Sequence, residues 1–126
     1  LMERITGVPA KHASAALAAG LRPVPSSLEE ALPGLGEAGR PVRLLLAADV
    51  GEEGLGSLFR VAAAFGIHAV VLSPQCADPF HRRAIRVSMG HVFHMPILYR
   101  DLADFLREMR EQSILTVAVA PSEAAT

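Results

Sequence analysis

The sequence predicts an α/β fold built on a parallel sheet, and three observations carry that prediction. Apolar runs at 42–48, 68–73 and 114–120 are too continuous for strands with one wet face, as expected where helices cover both sides of a sheet. Between them lie segments of about ten residues whose apolar side chains recur at helical spacing. Strands that alternate with helices in this way call for βαβ units and parallel pairing.

At 126 residues the chain fits one domain able to bury a moderate core. Its hydrophobic content of 51% and formal net charge of -1 exclude a disordered tail and a globally basic nucleic-acid binder. All but one of the 12 basic residues are arginine, Lys11 being the exception. That usage suits phosphate or carboxylate forks and is explained equally by codon bias. The lone Cys76 excludes a disulfide framework and a cysteine-based zinc site, and points to a reducing compartment. No apolar run approaches the roughly 20 residues of a membrane span, and no secretory leader is visible. The expectation is a soluble cytoplasmic protein with no membrane partner. The chain opens on Leu1 and closes just after an apolar run, which reads as a piece of a longer polypeptide.

Residues 1–40 read as an interdomain linker with short helices, and 41–126 as the organised domain. Ser14–Ala19 is helix-prone, and Ser27-Leu28-Glu29-Glu30 has the pattern of a helix start, with a capping serine and acids in the first turn. Val42–Ala48 is the first strand. A turn on Gly51, Gly54 and Gly56 follows, then a helix over 55–65 with Leu55, Leu58, Phe59, Ala62 and Phe65 inward. The second strand spans 68–73. Asp78-Pro79 reads as cap and first residue of a helix running to about Met89 and ended by Gly90. A third strand is expected within 91–98. An amphipathic helix over 101–112 turns Leu102, Phe105, Leu106 and Met109 inward, and a fourth strand covers 114–120.

The glycine stretch after the first strand stands where a dinucleotide fold puts its phosphate turn. However, Phe59 occupies the third small-residue position, and no Gly-Lys-Ser/Thr is present. Glycines that merely permit a tight turn are the plainer explanation. Arg60 shares a helix face with Ser57 and Ala64, while Gly56 and Ala63 form a second small face that invites close approach of another helix. By spacing alone, Arg60 is either a functional cation or a surface residue paired with Glu52 or Glu53. Arg82, Arg83 and Arg86, with His81, His91 and His94 nearby, form the chain's one basic patch. It is open to phosphate binding, while a solvated face anchored by Asp78–Arg82 is the plainer explanation. His91 and His94 have no metal spacing, so no metal site is expected. Cys76 reads as an inert loop or core thiol.

Gly56-Ser57-Leu58-Phe59-Arg60-Val61-Ala62-Ala63-Ala64-Phe65-Gly66, followed by Ala69-Val70-Val71-Leu72, resembles the first signature of the SpoU/TrmH branch of SPOUT RNA methyltransferases. The stretch Cys76 to Gly90 resembles the family's continuation, in which a third strand ends on a proline such as Pro96. The resemblance covers residues 42–121. It implies a Rossmann-like parallel βαβ half of a SPOUT domain, with the C-terminal trefoil knot missing. It also implies S-adenosylmethionine-dependent methylation of a ribose 2′-hydroxyl of rRNA or tRNA by a homodimer.

Residue by residue, the resemblance makes Arg60 the catalytic arginine. It puts the first cofactor loop at Ala120 and Pro121, and RNA contacts at Arg82, Arg83 and Arg86. Gly54 stands where the signature has asparagine, and Gly51-Glu52 where Asp-Pro is usual. The later Asn-Glu-Gly and Ile-Pro-Met…Ser-Leu-Asn segments are absent from this sequence, so the isolated chain is expected to be inactive. The alternatives are a non-catalytic RNA-binding or dimerising relative and a Rossmann-type nucleotide binder.

Overall fold

The computed structural model describes residues 20–22, 27–31 and 41–118. The expected Ser14–Ala19 helix and the expected cofactor loop at Ala120-Pro121 fall outside them. In chain order the elements are α1 (Leu28–Ala31), β1 (Leu44–Ala47), α2 (Glu52–Ala64), β2 (Ala69–Leu72), α3 (Arg82–Val87), a 3₁₀ turn (His91–Phe93), β3 (Ile97–Tyr99) and α4 (Leu102–Glu111).

The sheet is parallel with order β1-β2-β3, so the α/β expectation holds. Leu44 pairs with Ala69 and Ala47 with Leu72, while Val70 pairs with Ile97 and Leu72 with Tyr99. Successive strand residues face opposite sides, and two cores result. Ala47, Val70 and Leu72 pack with Leu55, Phe59 and Ala62 of α2. Val71 and Leu98 pack with Phe105 and Met109 of α4, joined by Leu28, Leu44, Leu46 and Leu102. Helices α2 and α3 therefore cover one face and α4 the other. β2, with every residue buried, runs through the centre.

Several expectations are corrected. Gly54 and Gly56 do not form a turn. They lie inside α2, which begins earlier than expected because Gly51 is its N-cap and the Gly51 carbonyl accepts from Leu55 N at 2.9 Å. Glu52 and Glu53 in the first turn suit the positive end of the helix dipole. Asp78 does not start a helix either. Its Oδ1 accepts from Phe80 N at 3.0 Å and its carbonyl from His81 N at 3.0 Å, closing a turn in the way such side chains often do. The helix starts at Arg82 with His81 as its cap.

The third strand shrinks to Ile97–Tyr99 because Gly90, with φ 83°, leads into a 3₁₀ turn. Pro96 enters that strand rather than ending it: its carbonyl accepts from Val70 N at 2.9 Å. Leu106 faces outward and Phe65 is exposed at the end of α2. The chain leaves α4 through Ser113 at φ 57°. Residues 114–118 then run exposed and unpaired, where the start of a fourth strand was expected.

Candidate RNA-facing site

The chemistry-bearing arginines sit on two helices that the sequence brings into close contact. A Cβ added at Gly56 would lie 2.5 Å from Val87 Cβ and 2.9 Å from the Ala84 carbonyl oxygen. Glycine is therefore what lets α2 and α3 touch backbone to side chain, as the small face on α2 predicted. Its absent side chain serves helix packing rather than a phosphate.

Arg60 is exposed on the outward face of α2, as are Ser57 and Ala64. The plain alternative for Arg60, pairing with Glu52 or Glu53, is not what the structure shows. Glu53 Oε2 accepts from Arg83 Nη2 at 2.8 Å, and Glu52 lies 4.0 Å from His81 Nδ1. Both carboxylates thus turn to α3, and Arg60 has no ion pair among the described residues. Ion pairs this exposed contribute at most about 1 kcal/mol, so the Arg83–Glu53 contact orients more than it stabilises.

On α3 the three arginines are all exposed. Arg83 is held by Glu53, whereas Arg82 and Arg86 have no ion pair among the described residues. The expected Asp78–Arg82 anchor does not form. Asp78 Oδ2 instead accepts from Arg22 Nη2 at 2.6 Å, and the Arg22 guanidinium carbon lies 5.8 Å from the centre of the Phe80 ring. No hydrogen bond or ion pair joins Arg60 to the α3 arginines.

The C-terminal strand ends, where open α/β sheets gather their sites, are tied together by short polar contacts. Ser73 N donates to the Ala47 carbonyl at 3.0 Å and Cys76 Sγ to the same oxygen at 3.3 Å. Asp49 N donates to Ser73 Oγ at 3.4 Å. Asp49 itself takes a left-handed φ of 50°, uncommon for a residue with a side chain. Cys76 is half-buried in the loop after β2 and ties that loop to β1 through its Sγ. Beside it, burial holds the Tyr99 phenol above its ordinary value, with the Asp78 carboxylate adding to the rise and Arg22 opposing it.

Sequence reasoning missed Arg22, Tyr99 and the Asp49 conformation. Arg22 and Asp78 are 56 positions apart, and no local pattern announces such a pair. Among the described residues no cluster of His, Cys, Asp and Glu could hold a metal ion, and no helix is long and apolar enough to cross a membrane.

Residues 41–126 match the model of the SpoU rRNA Methylase family. The chain belongs to that family. An uncharacterised tRNA/rRNA methyltransferase of Mycobacterium tuberculosis is 44% identical over 73 residues, covering 56% of this chain and 25% of that protein. The 23S rRNA (guanosine(2553)-2′-O)-methyltransferase RlmP of Bacillus subtilis is 33% identical over 79 residues, covering 62% of this chain and 32% of its own.

Among solved structures, an rRNA methyltransferase of Sinorhizobium meliloti is 31% identical with a TM-score of 0.50, covering 55% of this chain and 27% of its own. The SpoU methyltransferase AviRb of Streptomyces viridochromogenes, solved with the cofactor AdoMet, has a TM-score of 0.54 at 19% identity over 72% of this chain and 34% of its own. At that identity the likeness speaks for the fold. The chain thus spans about a quarter to a third of the length of these relatives.

Proposed function

We propose that this SpoU-family chain is part of an RNA 2′-O-methyltransferase acting on rRNA or tRNA, with S-adenosylmethionine as methyl donor. The family match over residues 41–126 carries the reading. The relatives whose names specify 2′-O-methylation of 23S rRNA support it. On this reading residues 1–40 are a linker and 41–126 the N-terminal part of the catalytic domain. The working protein is a cytoplasmic homodimer, and the cofactor loop begins at Ala120 and Pro121. No described residue is assigned to the cofactor, whose part is to supply the transferable methyl group.

Arg60 is the catalytic residue of the proposal. A guanidinium stays protonated at any working pH, so Arg60 does not remove the hydroxyl proton. Its role is to hold the RNA backbone and stabilise negative charge building on the 2′-oxygen. Exposure on α2, with both nearby carboxylates turned to α3, leaves it able to do so. Arg82 and Arg86 contact phosphates, and Arg83 contributes through its place beside Glu53.

In the protein that carries this chain, Arg60→Ala should lower methyl transfer to RNA by on the order of a hundredfold, as loss of a positioned charge-stabilising donor does. Binding of S-adenosylmethionine, measured by calorimetry, should stay unchanged. Equal loss of turnover and cofactor affinity would remove Arg60 from this role.

A second reading, a non-catalytic RNA-binding relative, is favoured by one observation. Gly54 stands where the signature has asparagine, and a Cβ there would meet Val50 Cγ1 at 2.8 Å, so the valine methyl would have to yield before an asparagine could sit at this position. RNA binding with no methyl transfer by the whole protein would select it.

A further inference from the structure

The SpoU match and the arginines on α3 leave one feature of the surface unused, an exposed aromatic platform on the 3₁₀ turn. Phe93 is 58% exposed and Met89 beside it 74%. These large apolar groups do not face water through looseness of the chain. Gly90 takes φ 83° and Met89 φ 54°, a left-handed pair that bends the backbone sharply after α3. The bend is closed by Gly90 N donating to the Ile85 carbonyl at 3.2 Å and His91 N to the Ser88 carbonyl at 3.1 Å. Two fully buried anchors, Ser88 and Val92, fix it from below. The Phe93 ring is further braced by Phe80, with centroids 6.2 Å apart and planes tilted by 37°. A rigid fold therefore presents one aromatic face outward.

The electrostatic setting says what that face meets. Between Phe80 and Leu98 the sequence holds three arginines and three histidines and not one carboxylate, in a chain whose net charge is -1. Arg83 is committed to Glu53, while Arg82 and Arg86 have no ion pair among the described residues. Arg86 sits at the root of the bend, its carbonyl accepting from Met89 N at 3.2 Å. His91 and His94, close to Phe93 in sequence, are exposed as well.

An exposed apolar face in a stretch that carries arginines and no carboxylate is complementary to a ligand with a flat π surface and negative charges beside it. Single-stranded nucleic acid has both, and aromatic side chains bind it by base stacking with little regard to sequence. A base-paired duplex keeps its base faces stacked away, and a second copy of this basic surface would repel it.

We propose that Phe93, braced by Phe80 and flanked by Met89, is a stacking platform for one unpaired base of the RNA, with Arg82 and Arg86 on the adjoining phosphates. The proposal rests on the RNA-methyltransferase reading and adds to it the form of RNA recognised: an unpaired nucleotide held by its base face.

The test uses the full chain, a short oligoadenylate carrying a single 2-aminopurine, and an RNA duplex of the same length. Wild-type protein should quench 2-aminopurine on binding and prefer the single strand. Phe93→Ala should weaken single-strand binding on the order of tenfold and abolish the quench, with duplex affinity unchanged, whereas Phe93→Tyr should retain both. Arg86→Ala should weaken both RNAs and reduce the salt slope by about one. Phe93 is exposed, so circular dichroism of its variants should match wild type.

Wild-type affinity in Phe93→Ala, with the Arg86→Ala salt effect still present, would overturn the platform and leave the RNA reading standing. No binding of either RNA would overturn both. A change in sedimentation of Phe93→Ala without a change in RNA affinity would make the patch a protein interface and overturn the platform as well.

Discussion

At the scale of single residues, the structure redistributes charges that the sequence lists but cannot pair. Glu52 and Glu53 precede Arg60 by about two helical turns, yet both point to α3. Asp78 ignores nearby Arg82 and takes Arg22 from the far end of the chain. Tyr99 records that arrangement. It is the chain's one tyrosine and there is no tryptophan, so its phenolate absorbance can be followed without interference. Burial raises its pKa above 10.0, and the neighbouring Asp78 carboxylate raises it further because a phenolate beside a carboxylate is repelled. The folded state therefore holds the phenolic proton more tightly than the unfolded chain. That contribution to stability is complete below the unfolded value near 10.0 and is lost as pH climbs through the higher folded value. A spectrophotometric titration should give a midpoint above 10.0, and Asp78→Asn should bring it down. A midpoint unmoved by Asp78→Asn would separate Tyr99 from that carboxylate.

At the scale of elements, α2 packs tightly on α3, and Gly56 governs the contact. Alanine there would gain up to about 1 kcal/mol of helix propensity. Its methyl would, however, sit 2.5 Å from Val87 Cβ and 2.9 Å from the Ala84 carbonyl oxygen, and a backbone oxygen cannot swing aside. Overpacking of this kind costs about 1–3 kcal/mol. Gly56→Ala should therefore lower the urea midpoint, while Gly54→Ala, opposed only by a Val50 methyl, should lose less. Equal stability of Gly56→Ala and wild type would mean the helices do not meet this closely.

The small face that permits the contact was legible in the sequence, as were β1, β2, α2 and α4, because continuous or periodic apolar patterns reflect burial directly. The Ser27 start of α1 was legible too, since Ser27 Oγ accepts from Glu30 N at 3.2 Å while Glu30 Oε2 accepts from Ser27 N at 3.3 Å. The elements misread are those where one local signal serves two structures. An aspartate before proline caps helices and closes turns alike, and a glycine within a helix looks like a turn until the helix it packs on is known. Long-range pairs such as Arg22–Asp78 leave no periodic trace. Of the candidate site, the arginines could be named from the sequence. Which of them were already engaged could not.

At the scale of the whole molecule, the two faces of the sheet carry unequal loads. α2 and α3 cover one side and α4 the other, so the chain crosses the sheet after β3. Parallel connections are right-handed almost without exception. Two crossovers on one face carry the strand order from β1 to β3, and a crossover on the opposite face must carry it back. A parallel strand following α4 would then lie beyond β1, not beyond β3. The run Ile114-Leu115-Thr116-Val117 has the β-branched character for such a strand, yet in this structure Leu115 and Val117 are 87% and 76% exposed and unpaired. Local stability should follow that layout, because amides deep in a doubly covered, doubly paired strand open only with global unfolding. Hydrogen exchange on the chain should find the β2 amides of Val70, Val71 and Leu72 the slowest, and those of Leu115 to Ala118 close to free-peptide rates. Protection of Leu115 to Ala118 matching that of β2 would contradict the exposed arrangement and place the segment in the sheet beside β1, the one position the crossover geometry leaves for it.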